Sequence, residues 1–336
     1  MQKKRIMGCS FPVFIFAAVV IVGIILFGVI VGPIGQNLLP NLKFPSWLVV
    51  PQPEPSLPPE VVFHIGGFAV TNTIIAAWFS IVILVLFTWL AFRKSRLIPS
   101  RLQSLFELIL AWLLNLCESV AGEKNGRRFF PVIATIFLFV LTNAWLSLLP
   151  FFNAVRVYTT QYPPPPVPLV ADASGKIPFY GVPLFRSAGT DANLTLALAI
   201  VSFIFVTYFG IKLARKSFLG AFFNFGPFIN ALKDLFRGKV KSALGGMTFG
   251  FISIFVGLIE LLTYFIRIIS FTFRLFGNMT AGELLLGIIM FLVPWLVAPF
   301  FYGLELIIGV IQAFIFAGLT LVFAGLAVTS HSEEHA

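Results

Sequence analysis

Uncharged apolar runs and short basic clusters alternate along most of the chain. Phe11 to Gly32 is 22 residues without a charge, preceded by Lys3, Lys4 and Arg5. A helix of that length crosses about 30 Å of hydrocarbon. The rival reading is a cleaved signal peptide, but the run outlasts a signal core of about 7–15 residues and no small-x-small site follows it. The pattern predicts an anchor helix. Pro33 to Pro59 carries eight prolines and little periodicity, which predicts a loop. Thr71 to Phe92 is a second span, stopped by Arg93, Lys94 and Arg96. Residues 101–124 place Ser104, Glu107, Asn115 and Glu118, with Ala111, on one narrow helical stripe. That stripe predicts an amphipathic helix on the membrane surface, the alternative being a short buried helix with a wet edge. Phe129 to Pro150 is a third span. Residues 151–190 hold seven prolines around YPPPPVP, a stiff extended loop. Ala192 to Ile211 is a fourth span, closed by Lys212, Arg215 and Lys216.

The last third has a different texture. Ser242 to Val293 contains no proline. As one helix it would be about 78 Å long, more than twice a bilayer core. It must tilt steeply, bend, or break at glycines such as Gly277 and Gly282. PWLVAP (294–299) turns the chain, and Phe300 to Ser330 is a second over-long run of about 46 Å. The expected fold is all-α and polytopic: four upright spans, one surface amphipathic helix and a hairpin of two long, strongly tilted membrane helices.

Composition sharpens this picture. Residues are 59% hydrophobic and 11% charged, and mean hydropathy is +0.99. Soluble domains run about 45–50% apolar and about 25% charged, so a soluble globule and a disordered chain are excluded. Cys9 and Cys117 make neither a disulfide framework nor a metal cluster. The net charge of +10 is distributed unevenly. Stretches 93–128 and 212–241 hold seven basic residues each and the N-terminus three, whereas the two proline-rich loops hold four: Lys43, Arg156, Lys176 and Arg186. This is the positive-inside asymmetry. It predicts six crossings with both termini cytoplasmic, and it accounts for the charge without nucleic acid.

Five ionisable residues lie inside apolar sequence: Glu260, Arg267, Arg274, Glu283 and Glu305. A charge at a span centre costs about 2.5–3.5 kcal/mol on insertion scales, so such residues face a bundle interior or a watery cavity and are functional candidates. Glu260, Arg267 and Arg274 follow one another at seven-residue intervals, which keeps them on one helical face within about 40°. Glu305 and Gln312 repeat that interval on the next helix. Arg267 either pairs with Glu260 or serves a function of its own. Arg274 has only apolar immediate neighbours and no acid within eight residues on either side, so it calls for an anionic partner from elsewhere or for local water.

The run FRLFGNMTAGE (273–283) resembles the signature of subunit a of the F-type ATP synthase, the membrane stator that faces the rotating c-ring. IQAFIFAGLTLVF (311–323) with SEEH (332–335), TIFLFVLTNAWLSLLP (135–150), TDANLTLALA (190–199) and VTNTIIAAWFS (70–80) resemble further family segments, in family order. The resemblance covers about residues 61–336. Residues 1–60, the anchor helix and its proline-rich external loop, fall outside it.

What the resemblance implies is proton translocation in the membrane sector, in a bacterial inner membrane. Arg274 matches the family's essential stator arginine, which attracts each c-ring carboxylate and blocks proton leak between two offset half-channels. Glu283 and Glu305 would carry the outer path, with polar help from Gln312, Asn193, Thr195 and Asn143. Glu260 would serve the cytoplasmic exit, and Asn278 would pack the helix or hold water. Many family members pair an acid with a histidine across the two outer sites, whereas this chain has glutamate at both and no histidine in its last two helices. Two close carboxyls titrate as a pair, sharing a proton. Implied partners are the c-ring, the subunit b peripheral stalk, other ATP synthase subunits, lipid and protons. No cofactor or metal is implied. The chain has no GxxxxGKS or GxxxxGKT phosphate loop, so chemistry on ATP belongs to partner subunits and the chain is no enzyme by itself. The rival reading, an independent secondary ion transporter with a mid-membrane ion pair, predicts internal repeats, and none is visible. His64, His331 and His335 form no metal spacing.

Overall fold

The computed structural model describes residues 5–6, 9–38, 45, 58–93, 99–152, 154–159, 180–222, 229–231, 233, 240–293 and 297–329. The proline cluster YPPPPVP, the turn residues 294–296 and the tail with SEEH, His331 and His335 lie outside the described residues. The helices are α1 (Phe11–Val31), α2 (Pro33–Leu38), α3 (Asn72–Phe92), α4 (Arg101–Leu146), α5 (Ala192–Phe222), α6 (Val240–Leu292) and α7 (Val297–Thr329). Among the described residues, α3 to α7 each contain a stretch long and apolar enough to cross a membrane. The chain is an all-α, multi-pass membrane protein.

The spans start where their sequence can cap them. The Thr71 hydroxyl accepts from the Ile74 amide at the head of α3. Ser100 accepts from the Gln103 amide ahead of α4, and the Asp191 carboxylate accepts from the Asn193 amide at 2.9 Å ahead of α5. Each satisfies a backbone donor that the first helical turn leaves open.

The surface helix and the third span form one element, α4, bent at Gly122. Gly122 has φ 76° and ψ 159°, a conformation essentially reserved for glycine. The two arms close tightly after the bend: a side chain at Gly126 would strike the backbone of Cys117 and Glu118. Arg127 reaches back to Glu118 and Glu123, both at 2.8 Å. These pairs are exposed and stabilise little, so the glycine makes the elbow. On the first arm Ser104, Glu107, Ala111 and Asn115 are exposed, beside exposed Leu105, Leu108 and Trp112. Leu113, Cys117 and Ala121 are buried at helical spacing. A polar stripe beside an apolar one suits a helix lying in the interface plane. No other atom comes within 4 Å of a Cβ built on Gly122, so Gly122→Ala tests the backbone alone. It should cost about 1–3 kcal/mol, read as a lowered thermal midpoint of the purified protein. An unchanged midpoint would remove the strain from this account.

Both proline-rich loops hold more structure than expected. The first begins with α2. Before α3, β3 (Val61–Ile65) and β4 (Phe68–Thr71) form an antiparallel hairpin. Its turn residues Gly66 and Gly67 have φ of 54° and 89°, which the two-residue turn requires. The β-branched and aromatic residues flanking Gly-Gly are strand formers. The second loop pairs β5 (Arg156–Thr159) with β6 (Tyr180–Pro183). Two-residue strands β1 (Arg5–Ile6) and β2 (Cys9–Ser10) precede α1. α5 continues past Ile211 to Phe222, further than the apolar run suggested, because the basic residues Lys212, Arg215 and Lys216 are good helix formers. The third span ends at Leu146 rather than Pro150.

α6 is unbroken over 53 residues, about 80 Å, and α7 over 33, about 50 Å. Of the three expectations for this stretch, a break at Gly277 or Gly282 does not occur. Gly277 faces open space, and Gly282 has a packing reason instead.

The described chain forms two compact units. One comprises Met1–Ala76, Ala144–Thr190 and Gly277–Ile311; the other Ala77–Asn143, Asp191–Phe276 and Gln312–Ala336. In the second, Phe129, Phe205 and Phe209 stack edge-on, with centroids 4.9–5.7 Å apart. Ala313, Ala317 and Ala324 are buried along α7, the small-residue spacing that lets membrane helices approach closely.

Candidate functional site

In the first unit, the C-terminal part of α6 and the N-terminal part of α7 bring Glu283 and Glu305 to one cavity of about 480 Å³. Ser147, Ser187, Met279 and Tyr302 help to line it. The cavity is roomy and polar enough to hold several waters. Glu305 is 8% exposed. Its seat depends on Gly282: a Cβ there would strike the Glu305 carboxyl group. That carboxyl therefore lies against the backbone of the residue next to Glu283. The indole of Trp145 donates to the Leu306 carbonyl at 3.2 Å. Gly309 lets α7 approach Ala144, whose Cβ would lie 2.9 Å from a side chain at 309.

A third charged group enters from the segment before α5. Nε of Arg186 lies 3.5 Å from Oε1 of Glu283, with side-chain exposures of 7% and 27%. Nη1 of Arg186 donates to the Pro58 carbonyl at 3.1 Å. The 3₁₀ turn Ala188–Thr190 follows directly and is wholly buried, with the Thr190 hydroxyl bonded to the Ser187 carbonyl at 2.7 Å. A side chain at Gly189 would strike Met279. The turn is thus packed onto α6 one helical turn before Glu283.

In the second unit, Arg274 is half-buried. The Phe271 ring centre lies 6.0 Å from its guanidinium carbon, and among the described residues no acid pairs with it. Arg267 differs. Its guanidinium carbon lies 3.4 Å from the Phe323 ring centre and 4.6 Å from that of Tyr264. No ion pair joins it to half-buried Glu260 among the described residues. Aromatic faces therefore take the role that an acid could have filled. Beside Arg267 the Ser202 and Thr320 hydroxyls share a buried hydrogen bond of 2.7 Å.

The other candidates divide by environment. Gln312 is 1% exposed. Asn143 is buried; its amide donates to the Phe139 carbonyl at 2.9 Å, and its Oδ1 is buried without a hydrogen-bond partner among the described residues. Thr195 is fully buried, with its hydroxyl on the Asp191 and Ala192 carbonyls. Asn193 and Asn278 are exposed. The structure thus brings Glu283 and Glu305 together, while Asn143 and Thr195 bond chiefly to their own helices.

Residues 74–325 match the family model described as ATP synthase A chain. That is well over half of the chain. The chain belongs to the ATP synthase A chain family. Among its relatives is the ATP synthase subunit a of Gloeobacter violaceus, 30% identical over 277 residues that cover 82% of this chain and 92% of the relative. The subunit a proteins of Moorella thermoacetica, at 27%, and Helicobacter acinonychis, at 28%, cover 81% and 82% of this chain and 98% of their own lengths. Arg274, Glu283, Glu305 and Arg186 all fall within the family match, whereas α1, α2 and the β3–β4 hairpin precede it.

The sequence reading missed Arg186 as a site residue because it weighed that arginine only as an outer-loop charge. A partial signal was available: FYGVPLFRSAG (179–189) is largely apolar around a single cation, although Asp191 follows it by five residues, so the contrast is weaker than the one that singled out Arg274. Ser147, Ser187 and Tyr302 carried no such signal.

Proposed function

We propose that this member of the ATP synthase A chain family is the proton-conducting stator subunit of an ATP synthase membrane sector. Two offset half-channels serve the two sides of the membrane. The cavity shared by Glu283 and Glu305 belongs to the outer one, and Glu260 belongs to the cytoplasmic exit. Gln312, Asn143, Asn193 and Thr195 supply polar groups along the outer path, and Asn278 holds water near it. Arg274 faces the rotor. A fixed positive charge favours the ionised form of an acid that approaches it, so each rotor carboxyl loses its proton there and a direct leak between half-channels is stopped. Arginine fits because it stays charged when partly buried.

The observation that carries this reading is Arg274: a half-buried guanidinium in apolar sequence, with no acidic partner among the described residues. A purely structural scaffold has no use for such a group. Helices of about 80 and 50 Å fit a bilayer only when strongly inclined, and an inclined pair can run alongside a cylindrical rotor. The skew of basic residues toward 93–128, 212–241 and the N-terminus supports cytoplasmic termini in a bacterial inner membrane. The peripheral stalk, subunit b, and the other ATP synthase subunits are the remaining partners, and the chemistry of ATP belongs to them.

Purification in mild detergent tests the assignment. The protein should co-isolate with a ring of small hairpin subunits and a soluble ATPase head. Isolation as a lone homodimer would favour an independent transporter and overturn it.

A further inference from the structure

We infer that Arg186 is a positioning residue of the outer proton path: it holds Glu283 as the fixed carboxylate of the cavity and leaves Glu305 to carry the exchangeable proton. This rests on the reading of Glu283 and Glu305 as that path, and it deepens that reading.

Arg186 is almost fully buried and 3.5 Å from Glu283. Its guanidinium is held from a second side by the Pro58 carbonyl, and the buried turn that follows it is packed on α6. A buried cation set so firmly has a strong demand for an anion, since breaking a buried pair costs more than forming it gains. The pair exists only with Glu283 ionised. Among the described residues, the titratable and charged groups on this cavity are Glu283 on α6, Glu305 and Tyr302 on α7, and Arg186 behind Glu283. Glu60 lies two residues beyond Pro58. Glu305 makes no ion pair among the described residues, and its carboxyl rests against Gly282 beside Glu283. Two neighbouring carboxyls share protons as a pair. With one of them committed to arginine, the shared proton resides on the other. The two glutamates, alike in sequence, thereby take different roles.

The test uses the assembled complex in native membrane vesicles stripped of the soluble head, with proton uptake from the outer side as the readout. Arg186→Gln should lower uptake about fivefold or more, and Arg186→Lys, which keeps the charge, should restore at least half of it. In a Glu283→Gln background, Arg186→Gln should have less than a twofold further effect, because the residue acts through Glu283. A merely structural arginine would give additive losses and little rescue by lysine, and either result overturns the inference. Where Arg186→Gln does not assemble, Arg186→Lys decides: uptake within about twofold of the parent supports the inference, and any larger loss in a fully assembled complex sinks it. The two readings separate cleanly. If Glu283→Gln with Glu305→Gln leaves uptake intact, the proposed path itself is wrong. If that pair abolishes uptake while Arg186→Gln changes nothing, the failure is confined to Arg186.

Discussion

Replacing Arg274 by alanine should abolish proton-driven ATP synthesis, with a loss of about 100-fold or more, while the complex still assembles. The residue is half-buried on α6 and makes no ion pair among the described residues, so its removal breaks no buried contact between charges. Stability is therefore largely spared. The functional loss is large because one fixed charge performs two tasks. In the proposed mechanism it draws the proton off each arriving rotor acid, and it separates the half-channels. One proton crossing 100 mV releases about 2.3 kcal/mol. Without the barrier that energy dissipates as leak rather than rotation. Arg274→Lys should recover little, since an ammonium in apolar surroundings sheds its proton far more readily than a guanidinium. The measurement is ATP synthesis by resealed vesicles under an imposed proton gradient, with subunit composition checked on the same preparation. Normal synthesis by the alanine variant would end the proposed mechanism.

The second large effect is expected from Glu283→Gln combined with Glu305→Gln: proton uptake from the outer side should fall at least tenfold. Glutamine keeps the size and much of the hydrogen bonding of glutamate but cannot exchange a proton. The single changes should differ in kind. Glu305→Gln removes a carboxyl with no cation paired to it among the described residues and should act chiefly on uptake. Glu283→Gln also removes the carboxylate that faces the buried Arg186, so part of its effect should appear as reduced stability. That share is softened because Glu283 is 27% exposed. Passive proton flux through head-stripped membranes provides the measurement. Unaltered flux in the double variant would place the outer path elsewhere.

These outcomes bear on how far the sequence could be read. The spans were legible because hydrocarbon imposes one rule on backbone and side chains alike, and the capping residues Thr71, Ser100 and Asp191 stand where their helices begin. Arg274 and the two glutamates stood out as charges in apolar runs. Less was legible where distant segments meet. Nothing local links Arg186 to Glu283, which lies 97 residues further on. The partner of Arg267 was sought among nearby acids on its own helix, but one of its two aromatic contacts, Phe323, comes from α7. Gly282 looked like a weak point in an over-long helix, yet its small size is used by the side chain facing it. The β3–β4 hairpin was hidden by proline-rich surroundings, although Gly66-Gly67 between β-branched and aromatic residues announces such a turn.

The vacancy at position 282 ties the identities of two helices together. The Glu305 carboxyl occupies the space that even a methyl group would take. A chain with alanine or serine at 282 would need a shorter or differently aimed residue at 305, so substitutions at these two positions should be inherited as a couple. Grafting a glutamate into the α7 position of a homologue without first clearing its α6 neighbour would force the acid out of its seat.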